Sequence, residues 1–235
     1  MIIWKPKSGG GIVEDREYRK VIEYVKNEIK QGRIQLEDKL PAERIMAEEL
    51  DMSRGSVREA LRTMENMGML ESRQGSGNYL TGNLNKVFAE SIGMMLLLKR
   101  ISHSEVNSLR RAIETEAYAL AVRNISDSQI KQLKAMLESM RTAEIDEMIL
   151  KDKEFHYQMI IASDNHLIIS IMEALEEIYT DSVEYMLKNA SEEMKYRLFL
   201  SHEKMLDSML RKDESAGKRA VNEHYDIIEF WYDKE

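Results

Sequence analysis

LPAERIMAEELDMSRGSVREALRTMENMGMLESRQGSGNYL, residues Leu40–Leu80, places two short amphipathic segments on either side of a turn at Glu49–Ser53 and follows them at once with a glycine-rich hairpin signal at Arg73–Asn78. That order of elements predicts a winged helix-turn-helix. In the second segment Val57, Ala60, Leu61, Met64 and Met67 recur with a helical period, so one face is apolar and the other is left to touch something else. Ser53 is placed to cap this helix. Arg54, Ser56 and, one turn on, Arg58 then stand near the positive end of its dipole, where a phosphate or a guanine edge is favoured.

A recognition helix needs long cationic forks at that end, because arginine pairs bidentately with the major-groove acceptors of guanine. A short neighbour such as Gly55 lets the backbone approach. On its own, RGSVR reads as an ordinary solvated stretch of helix. Its context points to DNA: Arg44 opens the preceding segment, and Gly75, Ser76 and Gly77 form a nearly side-chain-free tip between strand candidates Met69–Ser72 and Asn78–Leu80. Such a tip can enter a minor groove or lie along phosphates.

The rest of the composition sets bounds. With 235 residues, 43% hydrophobic and 32% charged, the chain suits a soluble globular protein of two modest domains. Two prolines and eleven glycines among abundant Leu, Met, Glu, Lys and Ala predict a mainly helical fold. The lack of cysteine excludes disulfide and thiolate chemistry and fits a cytoplasmic protein. The opening MIIWKPKSGGG reads as a mobile arm rather than an export signal, and the longest apolar run, Met94–Leu98, is too short to span a bilayer, so no membrane partner is expected. The net charge of −8 is unevenly spread: residues 1–82 hold 14 basic and 14 acidic side chains, and the remainder holds 20 against 28. Affinity for phosphate would then rest on local clusters and depend strongly on salt.

Outward from the winged unit, Asp15–Gln31 reads as a helix with Tyr18, Val21, Ile22, Val25 and Ile29 on one face and Gly32 as its stop. Arg33–Lys39 reads as a link. Thr81-Gly82-Asn83 is the best domain boundary, giving an arm at 1–14, a winged domain at 15–82 and a second domain at 83–235. Beyond the boundary the period is helical throughout: Leu84–Arg100, Ser104–Arg123, Asp127–Thr142, Glu144–Ala162, Asn165–Asn189, Ser191–Arg211 and Glu214–Tyr232. Ser102 with Glu105 and Ser126 with Gln129 have capping-box spacing. The expectation is an all-helical antiparallel bundle of six or seven helices, with Met136, Met140, Met159 and Met172 as core filler.

Asp152 and His156 are four apart on one such helix and share a face, while His202 and His224 sit on the last two. One carboxylate and three imidazoles suit divalent Zn, Ni, Mn, Co or Fe, with zinc foremost, and could leave positions open for an oxygen-bearing ligand. Spacing alone leaves open that each histidine is a surface or satisfied core residue. His103 and His166 are read as structural or solvent-facing.

The succession LPAER, SRGSVREAL, MGMLESRQGSGNYL resembles the DNA-binding domain of the GntR family of bacterial transcription regulators across about seventy residues. The resemblance implies Arg44, Arg54 and Arg58 as operator-contacting arginines and Gly77 at the wing tip. Two departures stand out: Ala42 replaces a common Ser, weakening a cap, and Gly55 replaces a commoner Thr or Pro, which bears on base preference. DKEFHYQMIIASDNHLI and SHEKMLDSMLRKDESAGKRAVNEH are similar to the effector domain of the FadR-like branch, the all-helical FCD type, with coverage of roughly Lys86–Phe230. Its metal-binding members place an Asp and a His four apart and single histidines on two later helices, matching Asp152, His156, His202 and His224. LRRAIETEAYALA belongs to the same likeness and implies Arg110 as a cation facing the pocket, suited to a carboxylate.

The function expected from these readings is a homodimeric, ligand-responsive regulator, bound to double-stranded pseudo-palindromic operator DNA at the nucleoid. A small carboxylate metabolite at the metal would weaken operator binding, as in a repressor released by its ligand. The rival from another class is a metal-dependent enzyme using the Asp/His site, although no general base outside the ligand set is evident. A third reading makes the histidines structural and the helical domain a dimerisation module.

Overall fold

The computed structural model describes residues 11–83 and 85–232, with side chains from Tyr18 onward. The chain divides into two compact units between Val87 and Phe88.

In the first unit, α1 (Gly11–Lys30), α2 (Glu43–Leu50) and α3 (Arg54–Asn66) precede β1 (Leu70–Arg73) and β2 (Gly77–Leu80). The expected arm at 1–14 needs correction where it can be followed. Gly11–Glu14 are helical, because a nucleated helix adds one hydrogen bond for each residue it fixes and extends even through the weak helix formers Val13, Ile12 and Gly11. Residues 1–10 lie outside the described residues. At the other end Gly32 adopts φ +71, and the amides of Gly32 and Arg33 reach back to the carbonyls of Ile29 and Glu28 at 3.0 Å each, which stops the helix with a glycine in the left-handed region. Val21 and Val25 are buried with Met46, Val57, Ala60, Leu61, Met64 and Leu70 in one core. Ile29, expected on the same stripe, is 42% exposed, since the last turn of α1 runs past that core.

The two strands pair antiparallel from Leu70↔Leu80 to Arg73↔Gly77. Residues 37–40, expected as a plain link, run along the free side of β2. Glu37 N–H donates to Leu80 O at 2.7 Å, Leu80 N–H to Asp38 O at 3.0 Å and Leu40 N–H to Asn78 O at 2.8 Å. The open edge of the hairpin is thereby covered, satisfying backbone groups that a two-stranded ribbon would leave bare.

The second unit is all helix: α4 (Asn85–Leu97), α5 (His103–Asn124), α6 (Asp127–Met140), α7 (Ile145–Ile161), α8 (His166–Asn189), α9 (Glu192–Leu210) and α10 (Glu214–Tyr232). Both expected capping boxes form, Ser102 with Glu105 and Ser126 with Gln129. Ser191 and Asn165 cap α9 and α8. Helix α10 packs on α9 and α5, α6 on α7 and α9, and α5 also meets α7 and α8. Met140, Met159 and Met172 are buried and Met136 is partly buried, as filler should be. The arrangement brings α5, α7, α9 and α10 round one interior region.

Candidate metal centre and nucleic-acid interface

Three helices bring four candidate ligands to the interior of the helical unit. Helix α7 supplies Asp152 and His156, α9 supplies His202 and α10 supplies His224, all buried. The imidazole centroids lie 5.0 Å apart for His156 and His202, 4.8 Å for His156 and His224, and 4.7 Å for His202 and His224. His156 Nε2 is 3.1 Å from His202 Nε2, and Asp152 Oδ1 is 3.4 Å from His202 Nε2. Donors bonded to one ion at about 2.1 Å and at tetrahedral or octahedral angles stand roughly 3.0–3.4 Å apart. The donor set thus fits a divalent cation in chemistry, and the His156–His202 and Asp152–His202 separations fit it in spacing. The tightest group comprises the three histidines, whose ligand atoms all lie within 4.8 Å of one another, and Asp152 joins through His202.

Two of the three rings are oriented from behind. His156 Nδ1 lies 3.1 Å from Glu114 Oε2 on α5, and because a carboxylate only accepts, the proton is on Nδ1 and the Nε2 lone pair faces the cluster. Ser201 Oγ–H donates to Leu198 O at 2.5 Å, so its oxygen accepts from His224 Nδ1–H at 3.0 Å and leaves His224 Nε2 bare. His202 Nδ1 is buried without a partner. Burial, followed by the neighbouring imidazoles, pushes His202 and His224 well below the usual histidine range, so both are neutral, the form that ligates. Burial also works against a charge on His156, but Glu114's charge and hydrogen bond together with Asp152 outweigh it and raise its pKa. Burial would lift Glu114, yet His156 and Arg110 bring it down to about 2. For Asp152 burial comes first and raises the carboxyl, with Glu114 adding to the rise.

Glu114 was not among the sequence candidates. A signal existed: it falls on the buried stripe of α5 with Ala117, Tyr118 and Ala121, where a carboxylate is too costly without a partner.

Arg110, one turn before Glu114, is largely buried. Its Nη2 stands 3.4 Å from Glu114 Oε1, its guanidinium lies 4.8 Å from the centre of the Tyr179 ring, and its Nε–H has no partner. With Asp152, His156, Tyr157, Tyr179 and Thr180 it lines a cavity of about 40 Å³. His103 and His166 are exposed and outside the histidine cluster, although the His103 ring meets the edge of Tyr179 at 6.1 Å between centroids.

In the first unit Ser53 accepts from Ser56 N–H at 3.0 Å and caps α3 as expected, whereas Ala42 gives α2 no side-chain cap. Arg54 and Arg58 are exposed at the start of α3 and Arg44 at the start of α2. Arg44 pairs with Glu48 at 2.8 Å and Arg58 with Glu43 at 2.8 Å, while Arg54 has no side-chain partner among the described residues. At the wing, Ser76 N–H closes the turn on Arg73 O at 2.8 Å, and Gly75 and Gly77 hold φ +72 and +126. A Cβ on Gly77 would come 2.9 Å from Lys39 Cε, so Lys39 brings its ammonium to the wing. Lys39 and the exposed Arg62 on α3 are cations that sequence reasoning passed over. Gly55, by contrast, has room: a Cβ there meets only Ser53 Oγ, at 3.6 Å. Gly55→Ala is expected to raise the stability of this unit by about 0.5 kcal/mol through a less flexible unfolded chain. A denaturant titration that moved the other way would reveal a constraint absent from this geometry.

Among the described residues no helix is long and apolar enough to cross a membrane. Residues 105–227 match the family model for the FCD domain, and residues 17–80 match that for bacterial regulatory proteins, gntR family. The chain is 25% identical over 207 residues to the HTH-type transcriptional regulator LutR of Bacillus subtilis (strain 168), covering 86% of this chain and 94% of LutR. It is 28% identical over 214 residues to the Exu regulon transcriptional regulator of Escherichia coli (strain K12), covering 89% and 81%. Among solved structures it is similar to Streptococcus agalactiae GntR with a TM-score of 0.66 at 22% identity, over 90% of this chain and 98% of that one, a likeness of fold.

Proposed function

Because the chain belongs to the gntR family of bacterial regulatory proteins and carries an FCD domain, it is a DNA-binding transcription regulator and not an enzyme, and we propose that a small carboxylate bound at a metal in its helical unit controls its hold on an operator. The observation that carries this reading is the convergence of Asp152, His156, His202 and His224 beside a cavity that a largely buried arginine, Arg110, also lines.

Asp152 and the three histidines hold the ion, zinc foremost among Zn, Ni, Mn, Co and Fe. Glu114 and Ser201 fix the rings of His156 and His224 so that Nε2 points inward. A bound divalent ion supplies a Lewis-acidic site for one carboxylate oxygen. Arg110 neutralises the acid's charge, and its place over Tyr179 keeps the guanidinium directed along the cavity. With a volume of about 40 Å³ and open to solvent on one side, the cavity takes the acid's head group and leaves any longer remainder outside.

On the DNA side, Arg54 and Arg58 read base edges in a major groove with Gly55 and Ser56 allowing close approach, Arg44 contacts the backbone, and the tip Gly75-Ser76-Gly77 approaches a minor groove. The protein acts as a homodimer on a pseudo-palindrome in the cytoplasm, at the nucleoid. Pairing is supported by exposed Phe88, Met94, Met95, Leu97 and Leu98, on α4 and just past its end, an apolar surface that a second copy would cover. Carboxylate binding weakens operator binding, as in a repressor, provided the acid prefers the arrangement that does not fit the operator.

Two measurements test this. In a thermal-shift screen with and without a chelator, a small carboxylate should stabilise the metal-loaded protein alone. Equal stabilisation in both states would remove the ion from effector binding. Arg54→Ala should weaken binding to the operator by about 1–3 kcal/mol and leave the melting curve unchanged. A gel-shift titration in which affinity is untouched would take Arg54 off the DNA.

A further inference from the structure

Arg58 is not free. Glu43, the first residue of α2, accepts from Arg58 Nε–H at 3.1 Å on each oxygen and from Nη2–H at 2.8 Å on Oε2. The carboxylate therefore holds the guanidinium from its side, occupying Nε–H and one N–H of Nη2. The two N–H groups of Nη1 and the outer N–H of Nη2 remain available. That outer edge carries the two parallel donors that match N7 and O6 of guanine. The pair bridges the two helices of the reading head and is well exposed, 65% for Arg58 and 31% for Glu43, so the fold has little need of it. Arg54, four residues earlier on α3, carries no such partner among the described residues. The Arg44–Glu48 pair is a single contact at 2.8 Å within one helix and fixes no edge.

We propose that Glu43 is a positioning residue for sequence discrimination. It aims the outer edge of Arg58 at a base and screens the arginine's charge from phosphates. Random duplex then gains little from Arg58, whereas the operator gains both hydrogen bonds. The inference rests on the DNA-binding reading above. It also explains how a unit with as many acidic as basic side chains reads DNA, since its acidic residues are used to restrict non-specific attraction.

The test uses the full-length protein. A duplex enriched from a random pool by wild-type protein, and a scrambled duplex of equal length, are titrated across a salt series with wild type, Glu43→Gln, Glu43→Asp and Arg58→Lys, after melting curves confirm that each variant is folded. Glu43→Gln should bind the scrambled duplex several-fold tighter, with a log–log salt slope steeper by about one. It should bind the enriched duplex no tighter, so that the ratio of the two affinities falls about tenfold. Glu43→Asp should recover part of that ratio. Arg58→Lys, which keeps the charge but lacks the two-donor edge, should lose the ratio whatever stands at 43. An unchanged ratio in Glu43→Gln, or an equal gain on both duplexes, overturns the proposal while leaving DNA binding in place. A selection that enriches no duplex overturns the DNA-binding assignment of this unit, and the proposal with it.

Discussion

Gly217→Ala is expected to lower the stability of the helical unit by about 3 kcal/mol or more, the upper end for an overpacked core. A Cβ at Gly217 would fall within the phenol ring of Tyr118, meeting Cε1, Cζ and the hydroxyl oxygen together. The ring has nowhere to go. Tyr118 is fully buried, its hydroxyl donates to Met205 O at 2.7 Å and lies 2.6 Å from Ser208 Oγ, and Met205, Met209, Phe155 and Val221 close the core around it. Relief therefore requires α10 to back away from α5. His224 stands two helical turns beyond Gly217 on the same face of α10, so that movement also draws one imidazole out of the histidine cluster. For a chain of this size the loss corresponds to a drop in melting temperature of roughly 6–12 °C. Adding Tyr118→Leu, which removes the obstructing ring, should return part of the loss, giving a strongly non-additive pair. If Gly217→Ala melts with the wild type, the close approach of α5 and α10 is not as drawn.

That contact illustrates what the sequence could and could not reveal. The fold class was legible because it rests on local signals: the period of α3, the glycines at 75 and 77, the capping boxes at Ser102 and Ser126, and the unbroken helical period after residue 84. The edge pairing of 37–40 was not, since LEDKL has no alternating pattern and is recruited by β2 rather than by its own propensity. Asp152 and His156 declare themselves by a four-residue spacing, and their meeting with His202 and His224 was inferred through resemblance. The orienting carboxylate is another matter, because Glu114 reaches His156 across 42 positions of sequence. Likewise the partner of Arg58 was not legible, since nothing in a one-dimensional pattern pairs it with Glu43 across the turn. Gly217 looks in the sequence like a weak point of a helix, and only the Tyr118 ring explains why no side chain belongs there.

Removing the metal from wild-type protein with a chelator should lower its melting temperature by roughly 5–10 °C, because an ion held at a hundred times its dissociation constant contributes about 2.7 kcal/mol to the folded state alone. The physical reason lies in the donor set. Three buried imidazoles with centroids no more than 5.0 Å apart and a buried carboxylate make an expensive interior, for which a dication is the simplest compensation. His202→Ala removes the ring that touches both His156 and Asp152, so it should abolish stoichiometric metal by elemental analysis and make the melting temperature indifferent to chelator. Glu114→Gln should act differently. The amide oxygen still accepts from His156 Nδ1–H, so the ligands stay in place, while affinity for the ion falls about 10–100-fold as the imidazole loses a charged partner. Arg54→Ala, in the other compact unit, should leave all three readouts unchanged and serves as the control. Wild-type protein stripped of metal that melts at its original temperature would mean that these four side chains, close as they are, hold no ion on which the helical unit depends.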